Sequence, residues 1–76
     1  MGGGLELAMM LARREMIATT ERKLARPLVE NERAGIERIS SLLRLESYCR
    51  AFASPAYTPA EVFADLDFLT KQPKQK

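Results

Sequence analysis

The sequence predicts an all-α protein: an antiparallel helical hairpin with a short third helix, completed by oligomerisation into a bundle. Three observations predict it. No segment alternates apolar and polar residues with period two, and valine and isoleucine are sparse, at Val29, Val62, Ile17, Ile36 and Ile39 alone. Ala, Leu, Met, Glu and Arg dominate, and these are strong helix formers. The string TPAE at 58–61 carries a helix-start signature, with Thr58 as N-cap, Pro59 at the first helical position and Glu61 closing a capping box.

The first helix is expected over about 5–26. Met10, Ile17 and Leu24 recur every seven residues, with Leu11, Ala18 and Ala25 beside them and Leu7 and Leu28 extending the stripe. Arg14 and Glu21 interrupt the stripe, and Met9, Ala12 and Met16 form a second, weaker strip. This apolar arc is wider than one partner helix covers. Thr19 and Thr20, both β-branched, mark a weak point in the middle. Pro27 ends or kinks the helix near Arg26 and suits the first position of the next one.

The second helix is expected over about 28–53. Leu28, Ile39, Leu42, Cys49 and Ala53 share a face, flanked by Ile36, Leu43, Leu45 and Phe52. Ser41 falls on the opposite, polar face. Gly35 costs about 1 kcal/mol relative to alanine inside such a helix. The alternative reading puts the true turn at Ala34-Gly35, leaving 27–33 as one short turn. Ser54-Pro55-Ala56 reads as the connector to the third helix. That helix runs to about Thr70, with Tyr57 and Val62 placed as a hydrophobic staple. Val62, Phe63, Leu66 and Leu69 are expected on its core face and Phe68 on the other. The domain organisation is a flexible leader over 1–4, one helical domain over 5–70 and a disordered basic tail over 71–76.

A chain of 76 residues forms a single domain with a marginal core. Scaffolds of this size draw on a disulfide, a metal or a partner chain. One cysteine excludes an internal disulfide, and without histidine no zinc site of four Cys/His ligands is expected. No cofactor is expected either. What remains is association with itself, as a homodimer or higher oligomer, or with another protein. The lone thiol and the lack of a long apolar span or signal peptide point to a cytoplasmic protein without a membrane partner. The net charge of +2 comes from the tail: without Lys71, Lys74 and Lys76, nine basic groups face ten acidic ones, about −1.

The opening string GGGLELA resembles a segment of the crotonase, or enoyl-CoA hydratase, family. In that family a GGG-x-E-L-A string carries a catalytic glutamate at the start of a helix. The resemblance implies Glu6 as a general acid/base acting on an acyl-CoA thioester. It spans seven of 76 residues, and nothing after Met10 follows the pattern. The family fold is a far longer, sheet-rich chain with separate backbone donors for the thioester oxygen. A carboxylate without an oxyanion hole or a second acid/base group is not a mechanism. No enzymatic role and no catalytic residue are therefore expected, and Glu6 reads as a favourable charge near a helix N-terminus.

The remaining candidates also have ordinary readings. Cys49 reads as a small buried hydrophobe, because no histidine is available to activate a thiol. Glu61, Asp65 and Asp67 read as a solvated helix surface, not a metal site. Arg13, Arg22, Lys23 and Arg26 are candidate phosphate contacts for nucleic acid. A helix-turn-helix built on Gly35 does not fit, since Asn31 and Ser41 occupy positions that want a small residue and an apolar residue. The expected function is a protein–protein interaction module, such as an adaptor, regulator or assembly subunit. Its contact surface is expected at Leu7, Met10, Leu11, Arg14, Ile17, Leu24 and Phe68. A nucleic-acid-binding regulator using the basic clusters and the tail is the alternative.

Overall fold

The structure, a computed structural model, describes residues 3–71. Four α-helices occupy them: α1 Gly3–Leu24, α2 Glu30–Glu37, α3 Leu42–Ala53 and α4 Pro59–Lys71. No strand is present among the described residues, so the chain is all-α. Helix α1 begins at Gly3, inside the expected leader. Lys71 closes α4, and the rest of the expected tail, 72–76, lies outside the described residues.

The expected second helix is two helices, which corrects both the boundaries 28–53 and the count of three. The break is at 38–41, after Gly35 and not at it. Helix α2 closes with Arg38 N–H donating to Ala34 O and Ile39 N–H to Ile36 O, a tightened last turn. Ser41 is the N-cap of α3: its backbone is extended, and its hydroxyl accepts from Arg44 N–H at 3.3 Å. A new helix therefore starts where a continuous one would have placed Ser41 in mid-surface.

Gly35 sits inside α2 because α4 crosses there. A Cβ on Gly35 would lie 3.3 Å from both the carbonyl carbon and the Cβ of Leu69, and 3.4 Å from Thr70 N. The glycine weakens the isolated helix but lets two backbones approach. Its cost is local and its benefit is tertiary.

The core is one cluster of Met16, Leu28, Ile36, Ile39, Leu45, Phe52, Val62, Leu66 and Leu69, with all four helices contributing or flanking. Each such side chain gains about 1.5–3 kcal/mol of gross burial free energy. Helix α1 packs mainly on α3, and α2 on α4. The Cys49 thiol meets Ala12 O at 3.8 Å and the Lys23 ammonium meets Ser54 O at 2.8 Å, so α1 and α3 run in the same direction. Helix α2 makes the return between them, from Leu28 beside Glu21 to Glu37 beside Met10 and Arg14. Helix α4 folds back over the assembly.

On α1 the core takes the weaker of the two expected strips together with Ile17 and Leu24 of the stronger one. Met16, Thr19 and Thr20 are buried, and Met9, Ala12, Ile17 and Leu24 pack against the core. The paired threonines are satisfied where they are buried: Thr20 Oγ1 donates to Met16 O at 2.6 Å, and Thr19 Oγ1 accepts from Arg22 at 3.3 Å. On α4 the core face is Val62, Leu66 and Leu69, while Phe63 is exposed, against expectation.

Local chemistry fixes the corners. The capping box of α4 forms as read: Glu61 N–H donates to Thr58 Oγ1 at 3.2 Å and Thr58 N–H donates to Glu61 Oε1 at 2.8 Å. Ser54 shapes the connector, accepting from Tyr57 N–H with its carbonyl and from Ala56 N–H with its hydroxyl. Tyr57 stacks on Phe52 with ring centroids 5.6 Å apart. At the α1–α2 corner, Ala25 adopts φ 58° and Arg26 N–H reaches back to Glu21 O at 3.2 Å, a Schellman-type end.

Candidate interaction surface

Exposed apolar side chains concentrate at the start of α1. Leu5, Leu7, Met10 and Leu11 are between 47% and 65% exposed, although they belong to one continuous helix. The core-facing row is buried only from Met16 onward. Leu7 and Leu11 lie four residues apart on the face opposite Met16, and Met10 lies beside them. Arg14 is exposed one turn further on. Ile17 and Leu24, also expected at the surface, are half-buried and packed against the core. Phe68 is 56% exposed on α4.

Outside the expected contact surface, Leu5 is 65%, Leu43 74%, Phe63 54% and Val29 58% exposed, Leu43 and Phe63 against their expected placement on the core side. Leu43 was legible from spacing alone: two residues before Leu45 and nine before Phe52, it stands on the side of α3 opposite both buried side chains. Phe63 and Phe68 stand five residues apart on α4, hence on different sides of it. The residues that cluster are those of α1.

The four candidate phosphate contacts are engaged within the fold. The Arg13 guanidinium donates to Ile39 O at 3.1 Å, just past the end of α2. Lys23 donates to Ser54 O, just past the end of α3. Both cations sit where a helix leaves carbonyls unpaired and its dipole is negative. Arg26 forks onto Glu32, with nitrogen–oxygen distances of 3.0 and 2.9 Å. Arg22 donates to Thr19 on its own helix. Hydrogen bonding to Arg26 holds the Glu32 carboxyl below the usual range, against the opposing effect of burial; Val29 N–H adds a further bond to it. Glu21 accepts from Leu28 N–H at 2.9 Å, so carboxylates take up the two backbone N–H groups that follow Pro27.

The other titratable candidates have structural partners too. Cys49 is half-buried, and its thiol is pushed up, first by burial and then by Glu15 and Glu46. Such a thiol is a poor nucleophile at neutral pH. The three acids of α4 do not converge: Glu61 caps, Asp65 accepts from the Tyr57 hydroxyl, and Asp67 pairs with Lys71 at 3.1 Å. No group of three metal-ligating side chains is found among the described residues. Glu6 is exposed in the first turn of α1, among exposed neighbours. No helix among the described residues is long and apolar enough to cross a membrane. Compared with protein families, with curated proteins and with solved structures, the chain finds no match.

Proposed function

We propose that this chain is a protein–protein interaction module that docks through the first three turns of α1. One observation supports it: Leu7, Met10 and Leu11, neighbours on one side of α1, stay about half exposed, whereas Met9, Met16, Ile17 and Leu24 of the same helix pack inward. Contiguous exposed apolar surface on a small protein marks contact with another macromolecule. A helix presenting such side chains over consecutive turns suits helix-to-helix docking. The surface serves an adaptor or assembly subunit and needs no catalytic group. The engaged states of Arg13, Lys23 and Arg26 favour this reading over phosphate binding, because binding phosphate there would unmake helix ends. We place the activity in the cytoplasm, where a single free thiol suits a reducing environment.

The test is a Leu7→Ser/Leu11→Ser double variant. Both side chains are exposed, so the fold, followed by circular dichroism and urea melting, should hold. Association, followed by sedimentation and by capture of binding proteins, should fall. Association unchanged from wild type would rule out this surface.

A further inference from the structure

The exposed face of α1 carries a charge pattern that is complementary to itself. Glu6, Met10 and Arg14 are spaced i, i+4, i+8, so they form one ridge of the helix, acid–apolar–base. Neither Glu6 nor Arg14 has an ion-pair partner among the described residues. They cannot pair with each other, since eight residues of helix separate them by about 12 Å.

We propose that the occupant of this face is a second copy of the chain, with the two α1 helices crossing antiparallel at Met10 about a two-fold axis. The proposal rests on the reading of α1 as the contact surface. In this arrangement Glu6 of each copy meets Arg14 of the other, and the pair forms twice, as an isologous interface requires. The four-residue ridges of two helices interlock at a crossing of about 50°. Glu6 and Arg14 then lie about 6 Å either side of the crossing point, where the axes have diverged by only about 5 Å. Two long side chains span that distance. Leu7 and Leu11 border the ridge on one side and Ile17 on the other.

The surface beside the ridge fits the same partner. A hollow between α1 and the end of α2 is lined by Met10, Arg13, Arg14, Ile17 and Glu37. Two cations against one carboxylate leave it net positive where the second copy's Glu6 arrives. The apolar wall of Met10 and Ile17 receives the second copy's Met10, whose thioether adapts to an irregular hollow. A parallel pairing would instead set Glu6 against Glu6 and Arg14 against Arg14.

Sedimentation equilibrium of wild type, Glu6→Arg, Arg14→Glu, the Glu6→Arg/Arg14→Glu double swap, and a mixture of the two single variants tests this. The wild type should approach twice 8.6 kDa with concentration. Each single variant should weaken association at least about tenfold, because both contacts become like-charged. The double swap and the mixture should both recover it, the mixture as heterodimers only. A wild type that stays monomeric overturns the pairing, as does a mixture no tighter than its components. If the Leu7/Leu11 variant abolishes association while the charge variants leave it intact, the α1 surface stands and this pairing fails.

Discussion

Replacing Ala25 with glycine should stabilise the protein. Ala25 adopts φ 58° at the end of α1, a left-handed geometry that L-residues with a Cβ avoid at a cost of about 1–2 kcal/mol. The conformation is imposed by its surroundings: Arg26 N–H must return to Glu21 O, and Pro27 cannot continue the helix. Glycine removes the steric cost but adds freedom to the unfolded chain, worth about 0.4–1 kcal/mol in the opposite direction. Ala25 is exposed, so no packing is lost. The net gain is about 0.5–1 kcal/mol, or roughly 2–8 °C in a domain of this size. Thermal melting by circular dichroism reads it, with Ala64→Gly in the exposed interior of α4 as control. That control should lose about 1 kcal/mol. A melting temperature for Ala25→Gly at or below wild type, with the control behaving as stated, would refute the left-handed turn.

Four further outcomes follow from the packing and the titrating groups. Phe52→Ala empties the most voluminous fully buried position and should lose about 3–5 kcal/mol, a large part of the roughly 4–11 kcal/mol such a chain holds, so urea unfolding should lose its cooperativity or shift far down. The lowered Glu32 pKa makes its stabilisation complete above the unfolded value of about 4.3 and lost as pH falls through the folded value. The stability gap between wild type and Glu32→Gln should therefore close in acid, and a pH-independent gap would contradict the Arg26 contact. Cys49 should alkylate slowly at neutral pH and accelerate only above the ordinary thiol range, whereas the rate of an unhindered free thiol would count against its burial beside Glu15 and Glu46. Tyr57 is pushed up to about 12, first by its bond to Asp65 and then by burial, so that contact stabilises the fold below about pH 10 and is lost towards 12; Asp65→Asn should lower the phenol's pKa in an ultraviolet titration.

Much of the fold can be read from local chemistry. The all-α class, the α4 capping box, the connector at Ser54 and the end of α1 before Pro27 each depend on residues within one turn of each other. The break at 38–41 was legible in principle from Ser40-Ser41, since serine is a strong N-cap. An apolar stripe that runs through the break masks it, because Ile39 and Leu45 enter the same core from opposite sides of the turn. Gly35 was not legible. Its position follows from the backbone of α4, more than thirty residues away, and helix propensity carries no trace of that approach.

The surface was legible as a set of exposed side chains but not as a face. Helix α1 is apolar on two sides, and periodicity alone does not say which side meets the core. The seven-residue spacing of Met10, Ile17 and Leu24 is the more regular, yet only Ile17 and Leu24 of it pack against the core, at the edge of the strip with Met16 and the buried threonines, and Met10 stays exposed. Volume and partners decide this. Leu45 and Phe52 of α3 are fully buried, and Ala12 and Thr19 are slim enough for that helix to approach α1 closely. Leu7 and Leu11 would hold α3 further away. Once α3 is seated against the slimmer strip, the N-terminal part of the bulkier one, Leu7, Met10 and Leu11, is left facing outward, with Glu6 and Arg14 on the ridge through Met10. The packing that completes the core is what leaves the contact surface open.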